Sequence, residues 1–163
     1  MSGNIARLVP SVTNIVPAAS HRGERELPFV EFFPGILVQL VHADIKAGLW
    51  VTRMRAQPGV TIQPHKHTGE VFAFTLTGAW KYLEYPAVNT AGSYLHEPAG
   101  SVHTLHVLAA NAGITDVWFA IRGANLNLDA DGKVESVMDA TMALDMYLAG
   151  CRKAGLPVPD VIQ

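Results

Sequence analysis

The stretch Gly59-Val60-Thr61-Ile62-Gln63-Pro64-His65-Lys66-His67 decides how this chain is read. Two histidines at i and i+2 of an extended segment project to the same side, so two ring nitrogens stand together as a clamp for a metal ion. Pro64 ahead of the first histidine and Gly59 at a turn restrict the backbone, which limits the entropy lost when an ion binds. A pair of imidazoles needs a third ligand. A second segment supplies one: Gly92, then five residues, then Pro98-Ala99-Gly100-Ser101-Val102-His103. There a Pro-Ala-Gly turn starts a strand and puts His103 at its first inward position.

Outward from these two segments the chain consists of short apolar runs rich in Val, Phe, Trp and Thr, each closed by Gly, Pro, Asn or Asp. The clearest occupy residues 35–42, 49–56, 70–77, 79–85, 93–97, 102–107 and 115–122, with a further short run at 125–128 that turns at Asp129-Ala130-Asp131-Gly132. Seven or eight such strands with no helical period between them predict an all-β fold, a closed antiparallel barrel or two-sheet jelly roll, and exclude a parallel α/β sheet. After Gly132 the period changes. Val134, Val137, Met138, Met142, Leu144, Tyr147, Leu148 and Cys151 recur at spacings of three and four, the pattern of one amphipathic helix. Ser136 or Asp139 is positioned to cap its start, Arg152 and Lys153 suit its C-terminal dipole, and Gly155 followed by Pro157 ends it. The resulting division is an N-terminal arm at 1–27, a barrel at 28–132, and a C-terminal helix and tail at 133–163 that cover one open face of the barrel.

The formal net charge is −2, from 12 Lys plus Arg against 14 Asp plus Glu, and no basic run occurs. That balance argues against nucleic acid and anionic membrane as partners. An apolar share of 49% against a charged share of 16% suits one compact domain with apolar surface left for a second subunit, so a homodimer or homotetramer is expected. Cys151 is the single cysteine, which excludes an intrachain disulfide and a thiolate zinc site and fits a cytoplasmic setting. Arg7 is followed by no long apolar core, and Pro10 and Pro17 interrupt the first residues, so neither a signal peptide nor a membrane span is predicted.

Gly59-x5-His65-x-His67, closing with Gly78, and Gly92-x5-Pro98-x-Gly100-x2-His103 resemble the two motifs of the cupin superfamily, whose fold is a double-stranded β-helix. The resemblance implies that His65, His67 and His103 are the metal ligands. Two positions depart from the pattern. Val107 stands where the family often has Asn, and Val71 stands where it usually carries a ligating Glu four residues after the second His. Glu70 lies one residue early, and strand alternation points it away unless a bulge at Thr68-Gly69 reverses the parity. The expected site is therefore three histidines without a carboxylate.

The His-x-His-Thr-Gly sequence and the run Trp80-Lys81-Tyr82-Leu83-Glu84-Tyr85 resemble, more narrowly, the 2,4′-dihydroxyacetophenone dioxygenase family, with acetylacetone-cleaving dioxygenase as a more distant relative. That resemblance implies a mononuclear Fe(II) that uses dioxygen to cleave a carbon–carbon bond beside a carbonyl. The residues suit this chemistry. Three neutral imidazoles leave the full +2 charge on a divalent ion, which favours an anionic chelate such as the enolate of a β-diketone or hydroxyketone. Val71, Ala73, Thr75, Leu105 and Val107 share the parity of the ligands and predict an apolar interior suited to an aryl or acyl substrate. Trp50, Trp118, Phe72 and Phe74 are candidate lining residues, and Glu84 is a candidate catalytic base if its face points inward. His106 should face away from the site, and His21, His42 and His96 have no partner in spacing and are read as structural. A zinc- or nickel-dependent hydrolase or isomerase, and a non-catalytic metal-binding module, remain open on the same ligands.

Overall fold

The computed structural model describes residues 19–163; the N-terminal part of the predicted arm lies outside them. The chain runs β1 (Val30–Phe33), β2 (Ile36–Asp44), β3 (Leu49–Ala56), β4 (His65–His67), β5 (Val71–Thr77), β6 (Ala79–Tyr82), β7 (Asn89–Thr90) and β8 (Tyr94–Glu97). It continues through β9 (Val102–His103), β10 (Leu105–Val107), β11 (Thr115–Arg122), β12 (Asn125–Leu128), β13 (Val134–Met138) and α1 (Ala140–Lys153). The strands form a six-stranded sheet β1-β2-β3-β11-β5-β8, a four-stranded sheet β13-β12-β4-β9 and a three-stranded sheet β10-β6-β7, with every neighbouring pair antiparallel. This is the expected all-β jelly-roll barrel.

Strand alternation sets what faces inward. In β5, Val71, Ala73 and Thr75 are buried while Phe74 and Leu76 are exposed. Inward residues of the six- and three-stranded sheets meet in one core that includes Leu40, Met54, Trp80, Val107, Val117 and Phe119, with Met138 of β13 packed against it. Trp80 is fully buried, and its indole Nε1–H donates to Thr75 Oγ1 at 2.9 Å, which satisfies the ring's polar atom within the core. The turn from β5 to β6 requires glycine, because Gly78 has φ +77° and a Cβ there would collide with Thr115.

The structure corrects the sequence expectation in three places. Residues 102–107 are two strands: β9 pairs with β4, whereas β10 pairs with β6 in another sheet. The strand beginning at Ala79 ends at Tyr82, so Glu84 sits in a turn. Val134, Val137 and Met138 belong to β13, which hairpins onto β12, and not to the helix. Gly132 at φ +77° and Asp129 Oδ1, which accepts from the amides of Asp131 and Lys133, build that hairpin turn.

The helix starts where Asp139 caps it, its Oδ1 accepting from Met142 N at 2.8 Å. Ala140, Ala143, Leu144, Tyr147 and Cys151 form the buried stripe, which packs against β1 and β2. Tyr147 donates its hydroxyl to Pro28 O at 2.6 Å. The described part of the arm is tied down as well, since Gln39 Nε2 donates to the carbonyls of Glu24 and Leu27. No helix among the described residues is long and apolar enough to cross a membrane.

Candidate metal centre

Residues 65 and 67 alternate inward on β4, with Lys66 exposed between them. Antiparallel register sets His103 directly across from His65. The three rings are buried and form a nearly equilateral group, with centroid separations of 4.9, 4.9 and 5.0 Å. Each offers a nitrogen within 4.8 Å of the others. The pair from the first segment and the single histidine of the second thus converge as the sequence implied, and this cluster could hold a metal ion.

His65 Nδ1 lies 3.0 Å from Gln63 O. A carbonyl only accepts, so Nδ1 carries the proton and Nε2 is the free ligand atom. Burial pushes this imidazole down to about 4, reinforced by the neighbouring His67 and His103 rings and only partly opposed by the Gln63 hydrogen bond. His65 is neutral, the form a metal requires, throughout the physiological range.

A carboxylate that the sequence reading did not assign borders the cluster. Glu97, at the end of β8 and 3% exposed, places Oε2 at 2.9 Å from His67 Nε2 and 3.0 Å from His103 Nε2. None of these three buried atoms finds a hydrogen-bond partner of acceptable geometry. Buried polar atoms are almost always paired; three left over, close together, fit a shared cation. Burial works against the ionised Glu97 carboxyl, but His103, His67 and the Tyr82 hydroxyl outweigh it and hold the group down at about 2.

Glu97 is the direct cross-strand partner of Val71, the residue that replaces the usual cupin glutamate. The carboxylate therefore reaches the same neighbourhood from the adjacent strand. Tyr82 holds it by donating its hydroxyl to Glu97 Oε1 at 2.5 Å, and the phenol ring stacks on His103 with centroids 3.6 Å apart and planes 15° apart. Burial, with the Glu97 charge beside it, pushes the Tyr82 hydroxyl well above its usual range.

Two other carboxylates lie elsewhere. Glu70 is at the surface, paired with His96 Nε2 at 3.2 Å; no bulge turns it inward, and Val71 takes the inner position with 1% exposure. Glu84 is exposed in its turn and accepts from Thr104 N at 2.9 Å, so the catalytic-base expectation is corrected. Inward alternation stops with the strand at Tyr82. Of the four candidate aromatics only Trp50 lines the cavity, and Phe74 and Trp118 are exposed on the outside of the six-stranded sheet. His106 faces away as expected, with Nδ1 2.8 Å from Thr61 Oγ1.

The cavity above the cluster measures about 320 Å³. His65, His67, Glu97 and Tyr82 form its floor, and Val38, Trp50, Met54, Ile62, Phe119 and Ile121 are among its apolar walls. Glu97 is the only carboxylate lining it among the described residues.

The metal-free protein is expected to lose stability on acidification. In the unfolded chain His65 titrates near 6.5, whereas in the fold it stays neutral down to about 4. Between those values the unfolded chain binds the extra proton, so stability falls with pH across this window, by about 3 kcal/mol in all. Glu97 adds a second loss: the stability from its lowered value is complete above pH 4.5 and disappears as pH falls towards 2. Urea unfolding of the metal-free protein between pH 7 and 4 measures the first effect. His65→Asn flattens that limb; an equally steep limb in the variant would place the proton uptake on other groups.

A jelly-roll barrel with three inward histidines from two motifs defines a cupin. The chain matches the family model described as the ChrR cupin-like domain over residues 21–115, more than half its length, and it belongs to that family. No functionally curated protein matches it. A cupin-like protein of unknown function from Ralstonia eutropha is similar at 30% identity and TM-score 0.81, with 89% of this chain and 96% of that one covered. An RmlC-like cupin from the same organism shares 26% identity at TM-score 0.83 over 90% and 95% of the two chains. The acetylacetone dioxygenase of Acinetobacter johnsonii has the same fold at TM-score 0.72 and 19% identity, over 83% of this chain and 94% of that one.

Proposed function

We propose that the protein is a mononuclear non-haem Fe(II) dioxygenase that cleaves a carbon–carbon bond next to a carbonyl in an aryl hydroxyketone or β-diketone. The observation carrying this reading is a largely apolar cavity of about 320 Å³ lined by His65 and His67 of the histidine cluster. A closed structural metal site has no use for such a space, whereas pockets of roughly 300 to 1,000 Å³ hold small organic ligands. The fold shared with the Acinetobacter johnsonii acetylacetone dioxygenase adds support.

His65, His67 and His103 would hold the ion, with Glu97 as the nearest anionic group. When bound, the ion supplies Lewis acidity towards a chelating pair of substrate oxygens and electron transfer with dioxygen. The protein's own residues do the rest. Trp50, Phe119 and Ile121 receive the aryl or acyl group and keep bulk water from the reacting carbons. Tyr82 stays protonated and donates a hydrogen bond to Glu97 Oε1, which fixes the carboxylate against the two imidazoles. With Glu97 ionised the cluster carries one negative charge, so the net charge facing a substrate is +1, one unit below that of three histidines alone.

Protein loaded anaerobically with Fe²⁺ is expected to consume dioxygen when given 2,4′-dihydroxyacetophenone or acetylacetone. Absence of uptake with both substrate classes would remove this reading. Three imidazoles also suit a catalytic zinc that keeps one position for water, which favours a zinc- or nickel-dependent hydrolase or isomerase as the second reading; turnover without oxygen would identify it.

A further inference from the structure

Hydrogen-bond accounting of the ligand rings is complete for His65 and incomplete for His67. With its Nε2 directed at an ion, His67 carries its proton on Nδ1, and metal-bound histidines give that proton to an acceptor that fixes the ring. His67 Nδ1 is buried with no partner. Apart from Glu97 Oε2 and the ring nitrogens, the buried side-chain atoms left unpartnered among the described residues are Ser101 Oγ and Asn125 Oδ1. Both flank His67. Asn125 is its cross-strand partner on β12, and Ser101 lies along the opposite edge of β4, its carbonyl accepting from His67 N at 3.0 Å. Directly opposed residues of an antiparallel pair point to one face with Cβ atoms about 5 Å apart, and Asn125 lines the same cavity as His67.

The two flanking groups differ in what they enforce. A hydroxyl donates or accepts and leaves the tautomer open, whereas an amide oxygen only accepts and holds the proton at Nδ1. We propose that Asn125 is the positioning residue of His67: its Oδ1, unbonded here as is Nδ1, accepts from Nδ1–H once an ion is bound, so that Nε2 is held towards the metal position. This rests on the metal-site reading. The chain contains its own control. Asn127 is the cross-strand partner of His65, but His65 already has Gln63 O, and Asn127 Nδ2 donates to Ser136 Oγ at 3.0 Å.

The test is chelator competition for Zn²⁺ in the full chain, together with ¹⁵N-detected imidazole spectra of the zinc-loaded protein. Asn125→Leu is expected to weaken Zn²⁺ binding about tenfold or more, and Asn125→Asp, which keeps an acceptor, to restore it. Asn127→Leu should leave binding unchanged. The wild type should show a protected His67 Nδ1–H that is missing in Asn125→Leu. Equal losses in both Leu variants, failure of Asp to restore binding, or an exchanging Nδ1 proton in the wild type overturns the assignment, and the last two readouts stand even if Asn125→Leu does not fold. Wild-type protein that binds no Zn²⁺ overturns the metal reading itself, whereas tight wild-type binding with unaltered Asn125→Leu overturns only the role of Asn125.

Discussion

Replacing His103 by alanine is expected to abolish tight metal binding. Metal coordination in small structural zinc sites is worth about 10 to 16 kcal/mol over four ligands, so losing one costs about 2.5 to 4 kcal/mol, on the order of a hundredfold or more in Kd. The remaining pair cannot compensate, because both histidines lie on β4 and the third imidazole comes only from β9. The variant also loses the stacking partner of Tyr82, so the titration must be made on protein whose circular dichroism confirms folding. Glu70→Gln is the matched control and should bind metal like the wild type, since Glu70 meets only His96 at the surface. A His103→Ala variant that retains wild-type affinity would show that the ion, if one binds, sits elsewhere.

The barrel and its three histidines were legible in the sequence because both depend on local pattern. Strand alternation and Gly-Pro punctuation are written residue by residue, and the pairs 65/67 and 100/103 carry their own spacing. What depends on cross-strand pairing was not legible. Glu97 reaches the cluster only because β8 pairs with β5 in a register that sets it opposite Val71; nothing within residues 93–97 reports that neighbour. Its one local signal was an acidic residue at the end of a strand, immediately before the Pro-Ala-Gly turn that delivers His103. The helix onset failed for another reason. Val134, Val137 and Met138 have helical spacing, but the Asp129–Gly132 turn folds them back onto β12, and hairpin pairing overrides a three-residue coincidence. Glu84 was misplaced because alternation was extended beyond Tyr82, where β6 stops.

Glu97→Gln separates a carboxylate that belongs to the metal site from one that merely borders it. Glutamine keeps the volume and can still accept from Tyr82, so packing is largely preserved. It removes the negative charge and is able to turn an NH2 towards the two Nε2 atoms that Glu97 Oε2 now faces at 2.9 and 3.0 Å. Loss of a group closely supporting a metal costs 10- to 100-fold in affinity, and a displaced ligand costs more, so Zn²⁺ affinity is expected to fall about 100-fold. The metal-free variant reports the same interaction independently. Without the anion beside it the Tyr82 hydroxyl titrates at lower pH than in the wild type, though still above its usual range because it stays buried, and ultraviolet titration of the tyrosinate reads that displacement. Unchanged zinc affinity combined with a lowered tyrosine titration would mean that Glu97 serves Tyr82 alone. The ion would then rest on three imidazoles with its full charge open to an anionic chelate.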